Sequence, residues 1–216
     1  MNDSAVSSGQ RPRRQQLRAV ETQDRLLRTA RRLFSAKGYD GVSVRQVEEL
    51  AGVKRGLVAY HFGDKERLWR ESVDQLFTEL GADFGGRIEA LADVSAHEAA
   101  RAMVRAFVRY SAANPELNRL MMQESMSDSW RVNYIVDEHI RPLQENLMTA
   151  MPEAAQLMWG DGDPHRYYLF IGASAFVFSA EHECRRLFDS SPFDQEFIER
   201  HAELVVQMFV GAAGPD

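Results

Sequence analysis

The sequence is poor in cysteine: Cys184 is the only one among 216 residues. A single cysteine cannot form an intrachain disulfide, and such scarcity is typical of proteins from a reducing compartment. Cys184 follows Glu181, His182 and Glu183, but consecutive residues of a helix diverge, and no second cluster supplies the i, i+4 partners of a metal site. We therefore predict no metal centre and no cofactor. The two arginines after Cys184 leave a redox role open, although a buried, inert thiol is more common.

Long hydrophobic runs are also missing. No apolar segment is long enough to span a membrane, and the N-terminal segment is polar and basic, without a hydrophobic signal. We therefore expect a cytoplasmic protein with no membrane partner. Hydrophobic residues make up 44% of the chain and aromatic residues 10%, which is sufficient for a folded core.

The motifs of common enzyme classes are absent as well. The sequence contains no nucleophile elbow, phosphate-binding loop, metalloprotease histidine pair or dinucleotide-binding fingerprint. Strand-like alternation of apolar and polar residues is not found, and neither is an internal repeat. The sequence thus predicts an all-α protein that is not an enzyme.

The charge is distributed unevenly along the chain. The formal net charge is −6, but residues 1–64 contain 12 Lys/Arg and 7 Asp/Glu, a net of +5, which leaves −11 for residues 65–216. A basic segment is typical of nucleic-acid binding, although a solvated basic face is the simpler alternative. Residues 1–21, which include SSGQRPRRQQLR, are predicted to form a disordered basic arm that either keeps the protein soluble or reaches DNA.

Helical periodicity begins at Thr22 and continues almost to the end of the chain. The first helix is expected to end at Gly38, and a fourth helix is expected to begin after the N-cap Asp64. The pattern predicts a DNA-binding domain over residues 22–68 and a larger helical domain over residues 69–216.

Between those two helices lies a candidate helix-turn-helix. Ser43 is a predicted N-cap of its first helix, and Gly52 permits the tight turn into a second helix from about Lys54 to His61. Such a second helix can enter the major groove of DNA, where its first turns reach base edges. The first helix is expected to bury Val44, Val47 and Leu50.

The second domain contains several breaks in the helical pattern. GADFGG is predicted to be a flexible junction and MWGDGDPHR a loop, whereas YYLFIGASAFVFSAEHECRRLF is apolar nearly all round and is predicted to be a buried helix. Pro142 must either begin a new helix or kink a continuous one.

The stretch TARRLFSAKGYDGVSVRQVEELAGVKRGLVAYHFGDKERLW resembles the N-terminal DNA-binding domain of the TetR family of transcriptional repressors. The resemblance covers about residues 22–70, and the remainder is similar only in being all-helical and of suitable length. It implies a homodimer that binds a palindromic DNA operator and releases it when a small-molecule effector enters the larger domain. A DNA-binding architectural protein without an effector is the alternative.

The resemblance also implies which residues contact DNA. Residues at the start of the first helix of the motif would meet the DNA backbone or nearby base edges, and those that open the second helix would read bases. An aromatic pair and a lysine would contact phosphate. At positions 54, 57 and 59 the sequence departs from the residues common in the family, which leaves the operator sequence open. The implied DNA-binding residues are Ser43, Arg45, Lys54, Arg55, Gly56, Leu57, Tyr60, His61 and Lys65.

Candidate residues of the larger domain form two sets. A mostly apolar effector cavity is predicted from aromatic residues, methionines and one acid, each of which could instead belong to an ordinary core: Phe107, Tyr110, Met121, Met122, Trp130, Tyr134, Phe178 and Glu181. A dimer interface is predicted in the two C-terminal helices, with a buried intrachain core as the alternative: Gly172, Ala173, Ala175, Phe197, Leu204 and Met208.

Overall fold

The computed structural model describes residues 10–160 and 162–211. Within these residues no strand occurs, so the predicted all-α class is confirmed. No helix among them is sufficiently long and apolar to cross a membrane. The chain divides into two compact units between Gln75 and Leu76, inside one continuous helix rather than after residue 68.

The first unit consists of three helices and the beginning of a fourth. They are α1 (Gln10–Lys37), α2 (Val44–Leu50), α3 (Leu57–Phe62) and the first part of α4 (Lys65–Ala90). As predicted, α1 stops at Gly38, the residue after Lys37, and Asp64 is the N-cap of α4: its carboxylate accepts a hydrogen bond from the Arg67 amide. The fully buried core of this unit contains Leu26, Ala30, Val47, Val58, Phe62, Leu68, Trp69 and Val73.

α1 begins at Gln10 rather than at Thr22, so residues 10–21 of the predicted disordered arm are helical. This segment is rich in Arg and Gln, which favour helix, and Pro12 falls in the first turn, where proline is tolerated. Residues 1–9 of the predicted arm lie outside the described residues.

α2 buries only part of its predicted set. Val47 is fully buried, Val44 is half-buried, and Leu50 is 53% exposed. The other buried residue of this helix is Glu48, a charged side chain. The prediction for Leu50 was wrong because only one narrow stripe of this short helix faces the core, and Glu48 occupies part of it.

The second unit contains the remainder of α4 and eight further α-helices among its described residues. They are α5 (Ala96–Ala113), α6 (Pro115–Glu124), α7 (Trp130–Ile135), α8 (Arg141–Ala150), α9 (Pro152–Trp159), α10 (Pro164–Ser179), α11 (Glu181–Phe188) and α12 (Gln195–Phe209). α5 packs against α9, α10 and α12, and is the most buried helix of the unit.

Two predicted breaks and one predicted long helix differ in the structure. GADFGG is helical and forms part of α4. Its Phe84 is buried, and this apolar contact stabilises the glycine-containing turns of the helix. Met158 and Trp159, expected in a loop, close α9 and are buried. The predicted long apolar helix is divided at Ala180 into α10 and α11, the second of which exposes one side to solvent.

A π-helical turn precedes Pro142. Residues Val136–Ile140 form this turn between α7 and α8, and Pro142 stands in the first turn of α8. The wider turn accommodates the proline, which cannot donate a backbone hydrogen bond within a continuous α-helix. The backbone stays in the right-handed helical region at Ile135, Ile140 and Arg141, so Pro142 lies within a continuous helical segment that contains the π-helical turn and does not begin a separate helix.

Candidate functional site

Two local features shape the helix-turn-helix of the first unit: a side-chain cap on α2 and a glycine before α3. Ser43 Oγ accepts a hydrogen bond from the Gln46 amide at 3.2 Å and caps α2, as predicted. The turn then reaches Gly56, whose φ of 89° lies in the left-handed region that favours glycine. Gly56 is thus required by the turn that starts α3.

Glu48 holds the beginning of α3 in place. Its carboxylate oxygen Oε1 accepts hydrogen bonds from the backbone amides of Gly56 and Val58, each at 2.9 Å, and its side chain is only 4% exposed. Amides at the start of a helix have no partner within that helix, so an acceptor supplied by the preceding helix stabilises the junction. This role of Glu48 was not predicted from the sequence, where the signal is a glutamate within the buried stripe of α2.

Most of the predicted DNA-contacting side chains are exposed at the surface of the first unit. Arg45, Lys54 and Arg55 are exposed, and Tyr60 is 78% exposed with its ring edge-on to the His61 ring at 5.0 Å. Leu57 and His61 are half-buried. Lys54, Arg55 and Gly56 precede α3, because the helix begins at Leu57 rather than near Lys54.

Lys65, at the start of α4, is positioned by an aromatic cluster. Its Nζ lies 4.2 Å from the ring centroid of Tyr39. Tyr39 stacks on Phe34 and meets Trp69 edge-on, so the ring is fixed from two sides. A cation over an aromatic face is attracted by the ring quadrupole, which restrains the lysine near the turn between α3 and α4.

The second unit contains a cavity of about 340 Å³ that is partly open to solvent. Its walls come from α4 to α10 and from the π-helical turn, and none of the described residues that line it carries a formal charge. The lining includes the aromatic side chains Phe77, Phe84, Phe107, Trp159, Tyr167, Tyr168 and Phe176. Its volume is near the lower end of the range of about 300–1,000 Å³ found for small-molecule sites.

Three of the eight residues predicted for the effector site line this cavity: Phe107, Met121 and Met122. The other five lie elsewhere. The Tyr110 hydroxyl donates a hydrogen bond to the Leu76 carbonyl at 3.0 Å, and Glu181 pairs with Arg185 at 3.1 Å. Phe178, Trp130 and Tyr134 are also absent from the lining.

Those three aromatic residues pack against other side chains. The Phe178 ring meets the rings of Phe193 and His201, Tyr134 meets His139 edge-on, and Trp130 lies beside the Arg131 guanidinium. Four aromatic residues line the cavity without having been predicted from the sequence: Phe77, Phe84, Trp159 and Tyr167. Their aromatic character was visible in the sequence, but their convergence depends on how separate helices cross.

The polar groups of the cavity are all uncharged. They are Asn118, Ser125, Gln144, Tyr167 and Tyr168. Burial raises the pKa of Tyr167 above its ordinary value, with a smaller contribution from the neighbouring Tyr168, so its phenol stays protonated around neutral pH. The cavity can therefore offer hydrogen bonds but no formal charge to a bound molecule.

α10 and α12 pack against each other and expose apolar side chains. On α12, Leu204 and Met208 are exposed, the latter by 69%, and Phe197 is half-buried. On α10, Tyr168, Leu169 and Phe176 are exposed.

The small residues of the predicted interface have different surroundings. Gly172 is exposed and also lines the cavity, and Ala173 is half-buried. Its carbonyl accepts a hydrogen bond from His201 Nε2 at 2.8 Å, which links α10 to α12. Ala175 is 3% exposed and lines the cavity, so it packs against residues of the same chain.

Family models match most of the chain. The model described as bacterial regulatory proteins of the tetR family matches residues 26–71, and the one described as the tetracyclin repressor-like C-terminal domain matches residues 97–209. The second match alone covers more than half of the chain.

Curated transcriptional repressors are similar in sequence to part of the chain. The HTH-type transcriptional repressor AcnR of Corynebacterium efficiens is 40% identical over 65 residues, 30% of this chain and 31% of AcnR. The chain spans roughly a third of the length of the curated relatives it matches first.

Two solved structures share the fold. AibR, in complex with isovaleryl coenzyme A and operator DNA, gives a TM-score of 0.64 at 17% identity, over 88% of this chain and 98% of AibR. HlyIIR, a hemolysin II transcriptional regulator, gives a TM-score of 0.61 at 20% identity, over 86% and 97% of the two chains.

Proposed function

Because the chain belongs to the TetR family of bacterial transcriptional regulators, we propose that it is a repressor whose homodimer binds a palindromic operator and releases it when a small, mostly apolar effector occupies the cavity. The family consists of transcriptional regulators rather than enzymes, in agreement with the absence of catalytic motifs. The observation that carries the proposal is a helix-turn-helix with exposed basic and aromatic side chains and a junction fixed by Glu48.

Recognition of DNA depends on side chains. Glu48 already occupies the amides of Gly56 and Val58, so these two donors are not available to phosphate. Arg55 and Lys54, exposed just before α3, are suited to bases or phosphates, and Tyr60 and Lys65 are suited to phosphates. Ser43, Arg45, Leu57 and His61 complete the proposed surface.

The exposed apolar side chains of α10 and α12 support a homodimer. Two neighbouring helices that expose such residues can pair with the same helices of a second subunit and form a four-helix bundle. Burying Leu204 and Met208 in this way would remove apolar surface from water. A two-fold dimer would place two copies of α3 in half-sites about one DNA turn, roughly 34–36 Å, apart.

Release of DNA follows from linkage. An effector that binds more tightly to the dimer when it is not on DNA must weaken operator binding by the same factor. The cavity lining favours a molecule that is mainly apolar. AibR was solved with isovaleryl coenzyme A; here an uncharged ligand is favoured, since the described lining offers no charged side chain.

The first test is selection of bound duplexes from a random DNA pool, followed by measurement of affinity at several salt concentrations. A palindromic consensus that binds one dimer is expected. Binding without sequence preference, with steep salt dependence, would instead favour an architectural protein without an effector.

Two variants then test the DNA-contacting residues. Arg55→Ala and Lys65→Ala are each expected to abolish tight binding of the selected duplex while the dimer stays intact, because both remove a cation from the proposed surface. Arg141→Ala removes an exposed arginine from the second unit and serves as the matched control. Wild-type affinity in either of the first two variants would refute the residue assignment.

A further inference from the structure

The cavity opens to solvent along α10. Among the described lining residues, those that are exposed come only from α10 and from α6 with its C-cap: Tyr168, Gly172, Phe176, Met122 and Ser125. The three residues of α10 are spaced four apart, so they form one stripe along that helix. A residue that lines a cavity and is also exposed lies at its opening. The mouth of the cavity therefore follows this stripe, where α6 packs beside α10.

The same helix carries part of the apolar surface proposed for the dimer. α10 is joined to α12 where the Ala173 carbonyl accepts a hydrogen bond from His201. Leu169 precedes Ala173 by four residues and Phe176 follows it by three, so both lie on the Ala173 side of α10. Both side chains are exposed. Apolar surface therefore borders the contact between α10 and α12.

This surface continues onto α12. Leu204 and Met208 follow His201 by three and seven residues, which places both on the side of α12 next to α10, and both are exposed. The exposed apolar surface thus extends from α12 across α10. Phe176 belongs to this surface and also lines the mouth of the cavity. The proposed dimer surface therefore reaches the cavity mouth.

A second copy of the chain is the partner that fits this surface. The segment from Tyr168 to Phe176 contains no charged side chain. In a two-fold dimer the same surface of each subunit meets its copy, and a surface without charge meets itself without electrostatic repulsion. Because Phe176 lies in this contact, the mouth beside it is covered as well.

Closure of the mouth affects how a ligand is held. Small-molecule sites usually bury about 70–90% of the ligand surface or more. In a single chain, the part of a ligand that lies at Tyr168 and Phe176 remains in contact with water. A partner subunit over the mouth removes this part from water, which strengthens the binding of an apolar molecule.

We propose that the partner subunit closes the mouth of each cavity, so that the effector is held between two subunits and binds the dimer more tightly than it binds a single chain. This inference rests on the homodimer and the effector of the proposed function and adds the coupling between them. By linkage, an effector that prefers the dimer also stabilises it. Release of the operator then occurs from an intact dimer rather than by dissociation into subunits.

The first experiment compares ligand binding by the dimer and by a single chain. The probe is N-phenyl-1-naphthylamine, an uncharged apolar dye whose fluorescence increases in apolar surroundings. Met208→Glu introduces an unpaired charge into the proposed interface but does not change a residue of the described cavity lining. Once sedimentation shows that this variant is a single chain, its affinity for the probe is expected to be about tenfold lower than that of the wild type.

Gln207→Glu is the matched control, because it adds the same charge at the neighbouring exposed residue of α12. It is expected to remain a dimer and to bind the probe as the wild type does. Equal affinity of the wild type and the single chain, or no binding of the probe by the wild type, would overturn the proposal.

Subunit exchange provides a second test that needs no substitution. Two wild-type populations, labelled at the amino terminus with a donor or an acceptor dye, are mixed, and energy transfer reports the exchange of subunits. A saturating concentration of the probe is expected to slow this exchange about tenfold, because separation of the subunits removes the closure that holds the probe. An exchange rate that the probe does not change would contradict closure by the partner.

The outcome is independent of DNA binding. If the wild type binds the selected duplex but the single chain binds the probe as tightly as the dimer does, closure by the partner is refuted and the proposed repressor remains. Binding of the probe that depends on the dimer, without sequence-specific binding of DNA, would support closure and refute the repressor.

Discussion

The two units of the molecule differ in how they position their candidate functional groups. In the first unit, the groups proposed for DNA binding are positioned by residues close in sequence: Ser43 caps α2, Glu48 binds the start of α3, and Asp64 caps α4. In the second unit, the cavity is lined by residues from 77 to 176, which come from seven helices and a π-helical turn.

This difference has a physical origin. Caps and tight turns depend on side chains within about ten residues of each other, so their effect is encoded in a short sequence motif. A cavity is the space left where helices cross, and the crossing depends on the packing of all their apolar faces. A local motif is therefore resistant to changes elsewhere in the chain, whereas a cavity is sensitive to them.

The largest effect is expected from a charge introduced on α12 of the second unit, where exposed apolar residues form part of the proposed dimer interface. Met208→Glu is expected to weaken dimerisation by more than about 100-fold, since an unpaired charge buried in the interface costs about 3 kcal/mol. Sedimentation equilibrium measures the effect. Gln207→Glu adds the same charge at the neighbouring exposed residue and should leave the dimer nearly unchanged; equal effects of the two would contradict the proposed interface.

In the first unit, substitution of Glu48 tests whether this residue stabilises the start of α3. Glu48→Ala is expected to lower the free energy of unfolding by about 2 kcal/mol, because the Gly56 and Val58 amides lose their charged acceptor. It should also weaken binding of the selected duplex. Chemical denaturation and duplex titration measure the two effects.

Glu49→Ala is the matched control for Glu48, because Glu49 is exposed and is the next residue in the same helix. It is expected to change the stability by less than about 0.5 kcal/mol. If both substitutions had the same effect, Glu48 would not be the residue that fixes α3.

A smaller change separates recognition from folding in the first unit. Tyr60→Phe is expected to weaken duplex binding several-fold, the equivalent of one hydrogen bond of about 1 kcal/mol, through loss of the proposed phosphate contact. Its stability should be unchanged, because the side chain is exposed. Tyr168→Phe, at an exposed tyrosine of the second unit, should leave duplex affinity unchanged; the assignment of Tyr60 fails if both behave alike.

The smallest expected effect is the pH dependence that His201 contributes to the second unit. Burial lowers the pKa of His201 below its ordinary value of 6.5, against a smaller opposing effect of its hydrogen bond to Ala173. The unfolded chain then binds the proton more readily, so this contribution to stability is complete above about pH 6.5 and declines as the pH falls below it.

His201→Gln should therefore lose less stability than the wild type between about pH 7.5 and about pH 5.5, because its side chain does not titrate there. Thermal unfolding at the two pH values measures the difference. His182→Gln, at an exposed histidine of α11, should behave as the wild type does. An identical pH dependence in His201→Gln would show that burial of His201 has no such consequence.

Sequence patterns predicted the first unit better than the second. Ser43, Gly38, Gly52 and Asp64 have the predicted local roles, since each acts on neighbouring backbone. Leu50 was assigned to the core and is exposed, because a helix of two turns has too few residues to define its buried face by periodicity alone.

In the second unit the same reasoning identified apolar residues but not their neighbours. Phe107 and Met121 line the cavity, whereas Phe178 packs against Phe193 and His201, although all three are apolar residues at helical spacing. Ala175, predicted at the dimer interface, lines the cavity. A helix that is apolar on every side does not indicate which side meets which partner.

The sequence by itself determined the helical class, the helix-turn-helix with its caps, and the family, because these depend on local backbone preferences and short spacings. Only the tertiary structure decided which aromatic residues line the cavity, and that Ala175 lines it as well. These features arise where helices distant in sequence approach each other, and that approach is set by the packing of the whole unit.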